Sequence, residues 1–260
     1  MNPMRHAAPK VASAMAALAV FLVSFAYANP EIIGNITHET IRVQLPSGSS
    51  SVDVFRPATQ AKAAMVIVVH GFSRDRQNMS GWGEHLAKEG FVAVVPDLPA
   101  WSDHVRNGRF ISELRNHLIE DKLWKIYIDP ARIGLLGFSA GGLSSLLSAA
   151  DAPNIAIWVG LDPVDQDGLG MRAAAVLKSR ALVLTSEPSV CNGNGNALGI
   201  VSALPDSEHF RINGAVHIDA EWPSSWLAEL VCGRSTEESR AEFRWRATKA
   251  LKDGLALPRL

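Results

Sequence analysis

Five short apolar runs, at residues 64–69, 91–95, 133–137, 155–160 and 181–185, punctuate the middle of the chain. Runs of this length and composition read as strands buried on both faces, the signature of a parallel sheet covered by helices. Between them lie stretches with helical spacing. Residues 81–88 carry Trp82, Leu86 and Ala87 as their inward set, and residues 108–126 repeat Phe110, Leu114, Leu118 and the Leu123/Ile126 pair. Residues 140–150 carry Leu143, Leu146 and Leu147, and a further helix is expected near 168–177. Ahead of the first run, residues 31–56 alternate loosely around a Pro-Ser-Gly turn at 46–48 and predict an antiparallel edge hairpin. A last strand is expected at 209–214. A capping box in Ser235-Thr-Glu-Glu238 then opens a final helix carrying Phe243, Ala247 and Leu251.

This order predicts an α/β fold, a mostly parallel central sheet with helices on both faces. With 260 residues, 47% of them hydrophobic, the chain can build one substantial core. A single domain over residues 29–260 is expected. The first 28 residues stand apart: Arg5 and Lys10 precede an apolar stretch over 11–25, and Ala26-Tyr27-Ala28 forms an A-x-A cleavage site. They read as a signal peptide, so the mature chain is expected to be secreted or periplasmic and to have no membrane span. Without that segment 23 Lys+Arg face 26 Asp+Glu, a balance that argues against a broad nucleic-acid surface. A monomer is expected. Export also makes a Cys191–Cys232 disulfide the natural reading of the only two cysteines. Neither is flanked by the residues a metal site would need.

The run at 133–137 leads into Gly137-Phe-Ser-Ala-Gly-Gly142, a strand–turn–helix pattern that presents Ser139 as a nucleophile on a sharp turn. Small neighbours let the backbone pass close to the adjacent strand, and the helix that follows points free amides at the reacting group. The first buried strand ends in His70-Gly71-Phe72, whose loop enters the crevice at the carboxyl ends of the strands. The backbone amide of Phe72 is expected to join that of Ala140 in an oxyanion hole. His70 reads as structural, bonding across its loop. The base must be another histidine: His217, just beyond the last strand, shares the rim with Ser139, while His104 in a loop is a weaker candidate. Asp162 and Glu187 each follow a strand, and either carboxylate could orient the imidazole.

The segments Val69-His-Gly-Phe72, Leu86 to Pro96, Gly137 to Gly142 and Gly160-Leu-Asp-Pro-Val-Asp165 together resemble the α/β-hydrolase superfamily, in particular its chlorophyllase-like and exported esterase branch. The likeness covers roughly residues 60–222. It implies that the aspartate of Asp-Pro-Val, here Asp162, is the acid of the triad, and that His217, with Asp219 two residues on, is the base. The chain departs from that branch in having Phe138 and Ala140 around the serine and Ala215-Val216 before the histidine. The reading is a serine carboxylic-ester hydrolase acting through an acyl-enzyme on an apolar ester, with no metal or organic cofactor. An acyltransferase, a polyester hydrolase or an inert binding protein on the same scaffold are the alternatives. Among the tryptophans Trp101, Trp158, Trp222 and Trp226, Trp101 and Trp222 fall in loops and, with Phe138, are candidate substrate contacts. Residues 97–110 are the candidate for a short mobile flap.

Overall fold

The apolar runs pair side by side in the computed structural model, which describes residues 30–59, 61–152 and 154–256. The expected signal peptide, residues 1–28, lies outside the described residues. Nine strands form one sheet: β1 (Glu31–Ile33), β2 (Ile36–Leu45), β3 (Gly48–Pro57), β4 (Ala63–Val69), β5 (Val92–Pro96), β6 (Ile128–Phe138), β7 (Ile157–Leu161), β8 (Arg180–Thr185) and β9 (Ser207–Arg211). Their order across the sheet is β1-β2-β3-β5-β4-β6-β7-β8-β9. The first three run antiparallel, and every pairing from β5 to β9 is parallel. The helices are α1 (Ser80–Lys88), α2 (His104–Glu120), α3 (Ala140–Asp151), α4 (Leu169–Ala174), α5 (Ala197–Ala203), α6 (Trp226–Cys232) and α7 (Glu237–Gly254).

Alternation along the central strands divides the core into two layers. Ile67, Leu135, Trp158 and Val183 pack with Phe110, Leu114 and Leu118 of α2 and Leu146 of α3. Val66, Val68, Leu136, Val159 and Leu182 pack on the other face with Trp82 and Leu86 of α1 and Phe243, Ala247 and Leu251 of α7. Apolar residues at successive positions are thus consumed by two faces, which is why these strands show no polar alternation.

Several boundaries differ from expectation for identifiable reasons. The edge region is three strands rather than two, although the turn falls where expected. Helix α2 begins four residues early because the Asp103 side chain accepts from the Arg106 amide. It stops at Glu120, where Asp121 turns extended and its carboxylate caps the amides of Leu123 and Trp124. Leu123 and Ile126, expected on its apolar face, are consequently half exposed. Residues 97–110 are therefore not one continuous loop. Their second half is helix, and Asn107 grips both the amide and the carbonyl of Ala100. The last strand lies at 207–211 rather than 209–214, and helix α7 is capped by Thr236 accepting from Ser239, one residue beyond the expected Ser235.

Cys191 and Cys232 form the expected disulfide, 41 residues apart. It joins a 3₁₀ turn, Val190–Asn192, to the end of α6. Among the described residues no helix is long and apolar enough to cross a membrane. Replacing both cysteines by serine should lower the free energy of unfolding by roughly 4 kcal/mol, the entropy of releasing a loop of that size. Urea denaturation of wild type and double variant checks this.

Candidate active site

Parallel register brings the carboxyl ends of four strands level. Val69 pairs with Gly137, Gly137 with Gly160, and Leu161 with Leu184. The residues that follow these ends share one rim: Phe72 after β4, Ser139 after β6, Asp162 after β7 and Ser186 after β8.

Ser139 sits at φ 55°, ψ −125° between β6 and α3, a conformation L-residues rarely adopt. Its amide donates to Leu161 O at 3.0 Å and its carbonyl accepts from Gly142 and Val164, so the surroundings hold the strained turn in place. The turn is crowded. A Cβ on Gly141 would lie 2.2 Å from the His70 carbonyl oxygen, and one on Gly137 would lie 2.3 Å from Ser145 Oγ. The glycines of the motif are required by close approach to β4 and α3.

His217 opens a 3₁₀ turn, His217–Ala220, held at several points. Asp219 accepts from the amides of Val216 and Thr236, and Trp82 Nε1 donates to Ala220 O. The imidazole Nε2 lies 2.9 Å from Ser139 Oγ, and Nδ1 lies 2.6 Å from Asp162 Oδ2. With Nδ1–H donating to the carboxylate, Nε2 presents its lone pair to the hydroxyl. All three side chains are buried, Ser139 at 7% exposure. Phe138 packs its ring 4.8 Å from the imidazole.

Asp162 accepts from more than the histidine. The Ser186 amide reaches Oδ1 at 3.0 Å, while Ser186 Oγ and Asn192 Nδ2 reach Oδ2 at 2.5 and 3.1 Å. Glu187, the other carboxylate considered, instead accepts from the Gly214 amide in an exposed position. The tract Cys191-Asn-Gly-Asn-Gly-Asn196 is not simply a surface loop, because Asn192 is buried at the site. Neither Ser186 nor Asn192 was marked by the sequence. Their only local signal is that one follows a buried strand and the other adjoins a cysteine.

The remaining predicted residues fall into place differently. His70 is structural: Nδ1 bonds Gly71 O, Nε2 accepts from the Leu98 amide, and burial holds its pKa below the usual histidine value. His104 is the first residue of α2, not a loop residue, and faces Ser144 Oγ at 3.3 Å. Trp158 is core, its Nε1 donating to Ser145 Oγ. Trp222 does not line the site, since its ring packs on Gly81, Trp82 and His85 under the Arg244 guanidinium. Trp226 stands exposed on α6. Phe138 is buried as a wall of the imidazole rather than an open surface. Trp101 is exposed and meets Phe72 edge-on, with ring centroids 5.0 Å apart. The two rings border a cavity of about 310 Å³ that also reaches Arg74, His104 and Ala140. Among the described residues no backbone carbonyl accepts from the amides of Phe72 or Ala140. No cluster of side chains suited to a metal ion occurs among them either.

A second pair, buried on its acidic side, joins the two loops of the site. Arg74 Nε, just after Phe72, lies 2.5 Å from Glu221 Oε1, just after the His217 turn. Glu221 is fully buried, and its Oε2 has no partner among the described residues. Burial outweighs the pull of Arg74 and raises its pKa from the ordinary 4.5 to about 7.

The fold is that of the α/β hydrolases. The chain belongs to the PETase family, described as PET hydrolase-like, whose model matches residues 30–231. Among curated relatives, bis(hydroxyethyl) terephthalate hydrolase of Streptomyces coelicolor is 24% identical over 179 residues, covering 64% of this chain and 56% of that protein. The match thus spans little more than half of that relative's length. Cutinase 1 of Thermobifida cellulosilytica is 20% identical over 211 residues, covering 76% of this chain and 79% of that one. A crystal structure of dienelactone hydrolase from Anabaena variabilis superposes with a TM-score of 0.63 at 15% identity, covering 82% of this chain and 98% of the other, a likeness of fold.

Two outcomes follow from this packing. Gly141→Ala should cost about 3 kcal/mol or more, because the opposing atom is backbone and cannot rotate away; a lowered urea midpoint with unchanged m-value is the check. Between pH 4.5 and about 7 the folded state keeps a proton on Glu221 that the unfolded chain has lost. Stability should therefore fall across that window, by up to about 3 kcal/mol from this group, and level off above it. Glu221→Gln should remove that slope from a series of unfolding curves.

Proposed function

We propose that this protein is a serine carboxylic-ester hydrolase that works through an acyl-enzyme on an apolar ester. The observation that carries the reading is one imidazole bonded at 2.9 Å to a seryl hydroxyl and at 2.6 Å to a buried carboxylate. Ser139 Oγ attacks the carbonyl carbon as His217 Nε2 takes its proton. Asp162 holds the ring in the correct tautomer and faces the imidazolium that forms. Negative charge on the carbonyl oxygen is met by the amides of Phe72 and Ala140. His217 then protonates the departing alkoxide, leaving an ester on Ser139. Water repeats the sequence: His217 removes its proton, the acyl–oxygen bond to Ser139 breaks, and the proton returns to the serine.

The substrate side of the proposal is an ester with an aromatic or extended apolar acyl group. Phe72 and Trp101 offer an exposed aromatic edge beside the proposed oxyanion amides, and the names of the relatives point to terephthalate esters and cutin. Release outside the cytoplasm fits a chain that keeps its two cysteines paired.

A fluorophosphonate should label Ser139 covalently in the wild type and not in Ser139→Ala. Ser139→Ala and His217→Ala should each lower kcat by roughly 10⁴-fold or more on a soluble aryl ester, with KM little changed. A wild type that neither labels nor hydrolyses any member of a panel of short, long and terephthalate esters would leave a binding protein on a hydrolase scaffold. Trp101→Ala should raise KM for a terephthalate diester while leaving that for a short acetate ester near wild type.

A further inference from the structure

We propose that Asn192 is a positioning residue for Asp162 and that the Cys191–Cys232 bridge holds it there, an inference that rests on the catalytic reading above. Asn192 is 1% exposed within a tract of asparagine and glycine. A buried amide must satisfy both of its ends. Its Oδ1 accepts from the amides of Ser189 and Gly195, at 2.8 and 3.0 Å. Two backbone donors fix the orientation of the group, so Nδ2 faces the other way, toward Asp162 Oδ2 at 3.1 Å, Ser186 Oγ at 3.0 Å and Glu187 O at 2.9 Å. Ser186 Oγ in turn donates to the same carboxylate oxygen. Asn192 therefore supports Asp162 twice, once directly and once through the hydroxyl. Three acceptors compete for two hydrogens, which the relay accommodates.

The composition of the tract follows from this role. Gly193, Asn194 and Gly195 have φ of 61°, 57° and 77°, a left-handed run that curls the backbone until the Gly195 amide meets Asn192 Oδ1. Glycine and asparagine are the residues that enter this region at least cost. Cys191 lies in the same 3₁₀ turn as Asn192. Its partner Cys232 ends α6, which packs against the turn carrying His217. The bridge thus ties the turn that supports the carboxylate to the helix packed against the turn that carries the imidazole.

Asn192→Asp tests the role directly, because it keeps the acceptor for Ser189 and Gly195 but replaces the donor with an oxygen facing a carboxylate. Expected are a fall in kcat of about 10–100-fold, the scale of a misplaced catalytic group, with KM essentially unchanged. The far-downfield proton resonance of His217 Nδ1–H should be lost, and fluorophosphonate labelling should slow. Should that variant fail to fold, Asn192→Ser, whose shorter hydroxyl cannot serve both sides, should lower kcat in the same way. Cys191→Ser/Cys232→Ser should also lower kcat at unchanged KM, and adding Asn192→Asp to it should cost less than in the bridged protein. Wild-type kcat and labelling rate in a folded Asn192 variant would overturn the positioning role. Full kcat in the double serine variant would overturn the role of the bridge. A wild type that does not label would instead reject the catalytic reading itself.

Discussion

The backbone of Gly141 pressed against the end of β4 is the contact on which the rest of the site depends. It lets α3 begin immediately after Ser139, so that the serine occupies the turn between strand and helix at positive φ. A side chain there would have to occupy the space of the His70 carbonyl. Neither α3 nor β4 can retreat without opening a core layer, because β4 is the central strand of the sheet and is buried on both faces. The strain of the serine is thus carried by packing around it, in the manner expected of a functional turn.

Around this fixed point the partners arrive by parallel register. Adjacent strands end level with one another, so each following loop delivers its side chain to the same rim. What register cannot supply is orientation. Asp162 gets its orientation from a hydroxyl, an amide and a carboxamide; His217 from a turn pinned by Asp219 and Trp82. The Arg74–Glu221 pair then spans from the loop of Phe72 to the loop of His217.

Much of this was legible in the residues. The strands were, because burial on both faces leaves an uninterrupted apolar run, as did β4 at Met65 to Val69. Ser139 was, because it follows directly on β6, and His217 was, because it lies in the loop beyond the last strand, on the same rim. Sequence chemistry put Asp162 barely ahead of Glu187, and the resemblance made the choice. Two carboxylates after adjacent strands look alike until Ser186 and Asn192 distinguish them, and those bonds span 24 and 30 residues. Trp222 was misplaced for a related reason. Trp222 sits in a loop, yet Gly81 leaves a space for its ring, and nothing in a local window links positions 81 and 222. Helix ends slipped where a side chain chose the cap, Asp103 before α2 and Thr236 before α7.

Ser139 is buried to 7% exposure, next to Ala140, which lines the cavity bordered by Phe72 and Trp101. On the ester reading, a small diester can dip its carbonyl to that depth freely. A long chain lying flat in a rigid solid cannot, unless a segment or an end lifts away from its neighbours. The property of a material to which such a recessed hydroxyl responds is then how readily its strands peel from the bulk, more than how strong its linkages are.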